Sequence, residues 1–314
     1  MAAIDCRGVT KRYGSVTALR DLDLTVEDGE VFGFLGPNGA GKSTTIDILL
    51  NYAYPTNGSV QVLGMDAEED TVSVRERTGV LPDGYGPLGD MTGREHVEFA
   101  IEAKEGYEDP MPLLERVGIP EAADRKASGY SKGMKQRLML AMALAGEPDL
   151  LVLDEPSTGL DPAGAREMRE IVLEEADRGA TVFFSSHILE QVEAVCDRVG
   201  ILSEGELVAI DTIDGLRQAA GTTGSIKLTL DSAPDDLPQK IQALDGVNSV
   251  EASGFDITVG CENRAKGRAV QTCYSAGAVV ENVETSQASL EDLFVAYTQG
   301  DGDDREAATA EVQS

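Results

Sequence analysis

The most constraining stretch of this chain is Gly36-Pro37-Asn38-Gly39-Ala40-Gly41-Lys42-Ser43-Thr44. The apolar run Val31-Phe32-Gly33-Phe34-Leu35 stands before it, and Lys42 through Leu50 reads as a helix after it. The order strand, glycine loop, helix fits G-x-x-x-x-G-K-[ST]. The glycines let backbone N–H groups wrap a phosphate, and the helix N-terminus adds its dipole. Gly36 through Gly41 and Thr44 are therefore expected to cradle phosphates. Lys42 is expected to reach the β- and γ-phosphates, and Ser43 to bind Mg²⁺. A glycine turn that merely links strand to helix is the plain alternative, and the register of all three parts counts against it. This motif alone says nucleoside triphosphate binding, not which reaction follows.

A second constellation is Leu150-Leu151-Val152-Leu153-Asp154-Glu155-Pro156. An apolar strand that ends in two carboxylates sets the first beside the metal and the second beside the γ-phosphate. Asp154 is expected to hold Mg²⁺ through water, and Glu155 to polarise an attacking water. A third is Tyr130-Ser131-Lys132-Gly133-Met134-Lys135-Gln136-Arg137, at the head of a helix with Leu138, Leu140, Ala141, Met142 and Leu144. A Ser followed by a Gly at that place makes an anion-accepting N-terminus. An ordinary N-capped helix reads the same way.

With these motifs in this order the chain resembles the ATP-binding subunits of ABC transporters over residues 4 to about 215. Ser157-Thr158-Gly159-Leu160-Asp161-Pro162 looks like the family's D-loop, and Ser185-Ser186-His187 like its switch histidine. Tyr13, in Lys11-Arg12-Tyr13-Gly14, sits where the family stacks an aromatic ring on adenine. The resemblance implies ATP and Mg²⁺ as cofactors and two such domains paired head to tail, as a homodimer or heterodimer. ATP on one P-loop would be closed over by Ser131 and Gly133 of the other domain. Glu155 would act as base, His187 would contact the γ-phosphate, and Asp161 would cross the interface. Ser131 to Arg137, and the tail Ser289-Leu290-Glu291-Asp292-Leu293-Phe294, look like the subfamily that partners ABC-2-type permeases. That group exports drugs, sodium, polysaccharides or other cargo. The expected partners are a separate integral-membrane permease and a second ATP-binding subunit, at the cytoplasmic face of the membrane.

The chain departs from the family pattern twice. Leu81-Pro82-Asp83 places Asp83 where the family usually has a Mg²⁺-sensing Gln; a hard oxygen ligand there can still approach Mg²⁺. Lys132 and Met134 replace Gly and Gln of the commonest signature, with Ser131 and Gly133 kept. Lys132 would add a cation near the phosphate.

Composition limits the partners. Asp and Glu number 56 against 26 Lys and Arg, a net charge of −30, spread from Asp5 to Glu311. That argues against a broad footprint on nucleic acid or anionic lipid. An acid-rich, Lys-poor chain resembles proteins of salt-loving archaea, in which high salt screens self-repulsion. Cys6, Cys196, Cys261 and Cys273 form no CxxC, so neither a disulfide scaffold nor a zinc site is indicated. Met1 to Cys6 show neither a basic nor a long apolar stretch, so no secretion signal is expected, and the longest apolar run, Leu138 to Ala145, is far short of the ~18 residues of a membrane span.

The expected fold is a P-loop α/β core with a mostly parallel sheet and a β-rich N-terminal part. A helical subdomain at about 90–147 is inserted, entered through the capping box Thr92-Gly93-Arg94-Glu95. The ATP-binding domain is expected over 1–218, a linker over 219–224 and a disordered acidic tail over 299–314. Residues 225–298 read βαββαβ, a ferredoxin-like accessory domain. The last helix carries Leu290, Leu293, Phe294 and Tyr297, a stripe that docks on its own chain or on a partner. The runner-up function is a soluble ABC-type ATPase acting on nucleic acid or ribosomes. One P-loop, no sustained heptads and the acidic charge count against it. A P-loop kinase or GTPase leaves Ser131 to Arg137 unexplained.

Overall fold

The computed structural model describes residues 1–186, 188–219, 224–234, 236–261, 263–286 and 290–299. The chain forms two compact units that divide between Ile213 and Asp214. The helix Ile213–Ala219 straddles that division, a few residues before the boundary drawn from composition. Residues 220–223 of the expected linker and 300–314 of the expected tail lie outside the described residues.

In chain order the strands of the first unit are β1 (Ala2–Tyr13), β2 (Val16–Glu27), β3 (Val31–Leu35), β4 (Asn57–Val62), β5 (Met65–Asp66), β6 (Thr78–Leu81), β7 (Leu150–Asp154), β8 (Thr181–Ser185), β9 (Arg198–Ser203) and β10 (Glu206–Thr212). Its helices are α1 (Lys42–Leu49), α2 (Thr71–Glu76), α3 (Gly93–Glu102), α4 (Met111–Arg116), α5 (Lys132–Ala143), α6 (Pro162–Arg178) and α7 (Leu189–Glu193), with α8 (Ile213–Ala219) at the division.

A six-stranded sheet has the order β10-β9-β3-β8-β7-β6. It is parallel from β9 to β6, and β10 is an antiparallel edge. Every residue of β3, β7 and β8 is buried, which is why these strands read as unbroken apolar runs. A second, antiparallel sheet runs β2-β1-β4-β5. One core joins the two sheets, with Ile4, Leu24 and Val62 from one and Phe32, Phe34 and Phe183 from the other. The rings of Phe34 and Phe183 lie 5.1 Å apart.

The β1–β2 hairpin pairs from Ala2 with Glu27 to Tyr13 with Val16. Register shifts interrupt it, one of them between Cys6 and Val9 around Gly8 (φ 58°), whose N–H donates to Asp23. A bulge breaks the period-two alternation on which the reading depended. The helical stretch after Thr92 is three helices and two 3₁₀ turns, Pro120–Ala122 and Ala127–Gly129. Its capping box is formed: Thr92 accepts from the Glu95 N–H, and Glu95 accepts from the Thr92 N–H. Helix α7 ends at Glu193, and a few residues on Asp197 pairs with Val31 through its backbone and its carboxylate. Strand β5 and helix α2 were not anticipated.

The second unit holds β11 (Ser225–Leu230), α9 (Leu237–Gln242), β12 (Val247–Ser253), β13 (Asp256–Cys261), α10 (Asn263–Ser275), β14 (Val280–Ser286) and α11 (Leu290–Gln299). The sheet order is β12-β13-β11-β14, antiparallel throughout, which is the split βαβ arrangement. Ile226, Leu228 and Val259 pack with Ile241 and Ala269 in its core. Cys261 and Cys273 are buried there as free thiols, and burial raises their pKa values, as it pushes Cys6 up to about 12. These cysteines are packing residues. Leu290 and Leu293 of the α11 stripe are buried. Among the described residues no helix is long and apolar enough to cross a membrane.

Candidate functional site

Four segments leave the carboxyl ends of neighbouring parallel strands: the glycine loop after β3, Asp83 after β6, Glu155 after β7 and Ser186 after β8. Ladder register aligns them. Phe34 and Asp154 both pair with Ser185, and Leu153 pairs with Leu81. In open α/β sheets this edge is where ligands bind.

The glycine loop is held from below. Gly41 caps α1 at φ 115°, and a Cβ there would lie 2.7 Å from the Ala18 carbonyl. A Cβ on Gly36 would lie 2.5 Å from the Leu202 carbonyl. Both positions need glycine, one for conformation and both for space. The β9–β10 turn props the loop, since Gly205 donates to the Ala40 carbonyl at 2.9 Å. Pro37, Asn38 and Gly39 remain exposed at the tip, with Ser43 exposed in the first turn of α1 and Thr44 partly so.

Lys42 is buried, and its Nζ donates to the carbonyls of Gly36 at 2.6 Å and Pro37 at 3.3 Å. Burial lowers its pKa, while Glu155 and Asp154 pull it upward. Asp154 is also buried, and its pKa is raised, first by burial and then by the charges of Asp83 and Glu155. The Ser185 hydroxyl and Lys42 oppose that rise. Lys42, Asp154, Glu155 and Asp83 thus share one electrostatic environment, although Asp83 sits in an exposed turn.

This donor set fits Mg²⁺. Among the described residues no group of three or more His, Cys, Asp or Glu could enclose a metal. Mg²⁺ is usually held by one or two carboxylates together with substrate phosphates rather than by an all-protein cage. A buried carboxylate beside a phosphate loop matches that.

Glu155 adopts a left-handed backbone, φ 49°, unusual for a residue with a side chain. Its N–H donates to the Ser185 carbonyl at 2.9 Å, and its own carbonyl accepts from Thr158 at 3.1 Å.

The Ser131 segment is an N-capped helix start. Ser131 caps α5, its hydroxyl accepting from Met134 at 3.2 Å, and the side chain stays exposed. Gly133 packs on the next loop, where a Cβ would lie 3.2 Å from the Gly159 carbonyl. The Lys132 stem lies over Gly159. Asp161 caps α6, accepting from Gly164 at 2.8 Å with Pro162 in the first turn. Tyr13 is half exposed at the tip of the β1–β2 hairpin, the hairpin that presses on Gly41, and Lys11 lies 4.6 Å over its ring. His187 lies outside the described residues.

Two contributors carried no assigned role in the sequence. Gln136 reaches the turn after β7, donating to the Pro156 carbonyl at 2.9 Å and the Glu155 carbonyl at 3.5 Å. Arg137 joins Glu167 at 2.6 Å and the Val117 carbonyl at 2.8 Å. The Gln-Arg pair after the Ser-x-Gly motif was the available signal.

The ABC transporter family profile matches residues 19–158. The linearmycin resistance ATP-binding protein LnrL of Bacillus subtilis is 30% identical over 305 residues, covering 94% of this chain and 98% of that protein. This chain belongs to the ABC transporter ATP-binding proteins. Within that family the Nod factor export ATP-binding protein I of Burkholderia lata is 40% identical over 214 residues, 67% of this chain and 70% of the relative. A solved ATP-binding subunit of an ABC transporter superposes with TM-score 0.66 at 30% identity, covering 70% of this chain and 93% of that one. The protein is an ABC ATPase, and ATP and Mg²⁺ are its cofactors.

Proposed function

We propose that this ABC ATPase drives an exporter of the ABC-2 type, as one of two ATP-binding subunits beneath a separate membrane-embedded permease. The observation that carries the reading is the nearly full-length match to a resistance ATP-binding protein, supported by a shorter match to an export protein. The subunit then works at the cytoplasmic face of the membrane.

In this reading the backbone of Gly36 to Thr44 and the Lys42 ammonium hold the β- and γ-phosphates. Ser43, Asp154 and Asp83 would hold Mg²⁺, which when bound would neutralise charge building on the phosphates. Glu155 takes the proton of the attacking water, and His187 contacts the γ-phosphate. Tyr13 stacks on adenine. Ser131 and Gly133 of a second subunit close over the nucleotide, with Asp161 at that interface. A γ-phosphate shared by two helix N-termini is a switch that hydrolysis removes.

Asp83 ties this site to the permease. Asp83→Ala should lower the basal ATPase rate modestly and abolish its stimulation by the permease in proteoliposomes. Asp83→Gln should keep most of both. Equal basal and stimulated rates in wild type and Asp83→Ala would remove Asp83 from the site.

The net charge of −30 further supports a salt-rich cytosol, of the kind found in halophilic archaea. Self-repulsion on that scale destabilises a compact chain in dilute buffer. The melting temperature should climb from dilute buffer to ~2 M KCl, past the point where the Debye length is already only a few ångströms. A melt indifferent to salt would refute this.

A further inference from the structure

The strained turn at Glu155 is fastened to the helix that begins at Ser131, and Gln136 makes the fastening. Glu155 stands at φ 49° directly after a fully buried strand. A residue with a side chain holds that conformation only when its surroundings impose it. The Ser185 carbonyl fixes one side of the turn through the Glu155 N–H. The Gln136 amide fixes the other, at 2.9 Å from the Pro156 carbonyl and 3.5 Å from the Glu155 carbonyl. Gln136 lies within α5, whose N-cap is Ser131. The same helix packs on the loop after Glu155 through Gly133 and through the Lys132 stem over Gly159. Helix, turn and loop therefore form one braced unit.

We propose that Gln136 is a positioning residue for ATP hydrolysis: by holding the Glu155–Pro156 turn to α5, it fixes the direction in which the Glu155 carboxylate points. The helix that presents Ser131 then also sets the aim of Glu155. This rests on the reading of Glu155 as the base, and the test separates the two.

Removing the amide should cost kcat and leave nucleotide binding alone, because the phosphate loop is built from other elements. Misplacing a reacting group by about an ångström costs on the order of 10²-fold in rate, so kcat of Gln136→Met should fall ~10–100-fold. The Kd for ATP should stay unchanged. Gln136→Glu keeps the shape without a donor and should be equally slow, which gives a second variant should the first fold poorly. Gln136→Lys, which can still donate to both carbonyls, should retain most of the wild-type rate.

The decisive readout is a cycle with Glu155→Gln, followed as single-turnover ATP cleavage. If Gln136 acts only through Glu155, its loss costs nothing further once that carboxylate is gone. Equal residual rates for Glu155→Gln and the Glu155→Gln/Gln136→Met pair are expected. Additive losses, or a folded Gln136→Met at the wild-type kcat, would overturn the proposal. A Glu155→Gln protein at the wild-type rate would instead refute the base assignment and, with it, this positioning role.

Discussion

Glu155→Gln is expected to cleave ATP ~10²–10⁴-fold more slowly than the wild type while binding it normally. The amide keeps the size of the side chain and its hydrogen-bonding reach, but it cannot take a proton from water. Binding should survive because its parts lie elsewhere. Gly36 and Gly41 shape the loop, and Lys42 at the start of α1 is expected to hold the phosphates. Phosphate release under saturating ATP and Mg²⁺ measures the rate, and a fluorescent nucleotide titration measures the binding. Loss of binding together with loss of rate would mean that Glu155 supports the loop rather than the chemistry.

The second large effect concerns stability. Glu175 is almost fully buried on α6, and its two carboxylate oxygens accept from Arg116 of α4 at 2.6 Å and from Arg178 at 2.7 Å. Arg178 also donates to the Pro148 carbonyl, just before β7. The triad thus ties the inserted helices to the sheet that carries Asp154. Replacing both arginines by alanine leaves a buried carboxylate with no cation, which costs about 3–5 kcal/mol. For a unit of this size that is about 6–20 °C in melting temperature. Adding Glu175→Met to the double variant removes the stranded charge and should return most of the loss. If the triple variant melts no higher than the double, the buried charge is not the cause.

The elements plainest in the sequence are those whose burial is uniform, although the alternating strands of the second unit were legible too. β3, β7 and β8 are buried at every residue, so their apolar runs were plain, and the glycine loop between β3 and α1 followed. The capping box at Thr92 was equally local and equally plain. The features hidden from the sequence depend on distant partners. The full length of β1 and β2 is hidden by bulges, and a few residues after α7 Asp197 pairs with Val31 across the sheet.

The candidate site divides the same way. Its phosphate loop and its two carboxylates are contiguous motifs, and strand register alone places them side by side. The brace from Gln136 and the prop from Gly205 join residues far apart in sequence, so although the Gln-Arg pair marks the position of Gln136, no local pattern gives the partner of either contact. Ser131 and Asp161 show why a motif does not speak for itself. Each is an N-cap with a bonded backbone N–H, and a cap needs no nucleotide to explain it.

Light scattering after size exclusion, in high salt, tests the central claim that two subunits close over shared ATP. With Glu155→Gln the nucleotide is held and not cleaved, so the protein should run as a dimer in ATP and Mg²⁺ and as a monomer without nucleotide. Adding Ser131→Arg should dissolve the dimer, because a bulky side chain then blocks the N-terminus of α5. A Glu155→Gln protein that binds ATP, fails to cleave it and stays monomeric would contradict the head-to-tail homodimer.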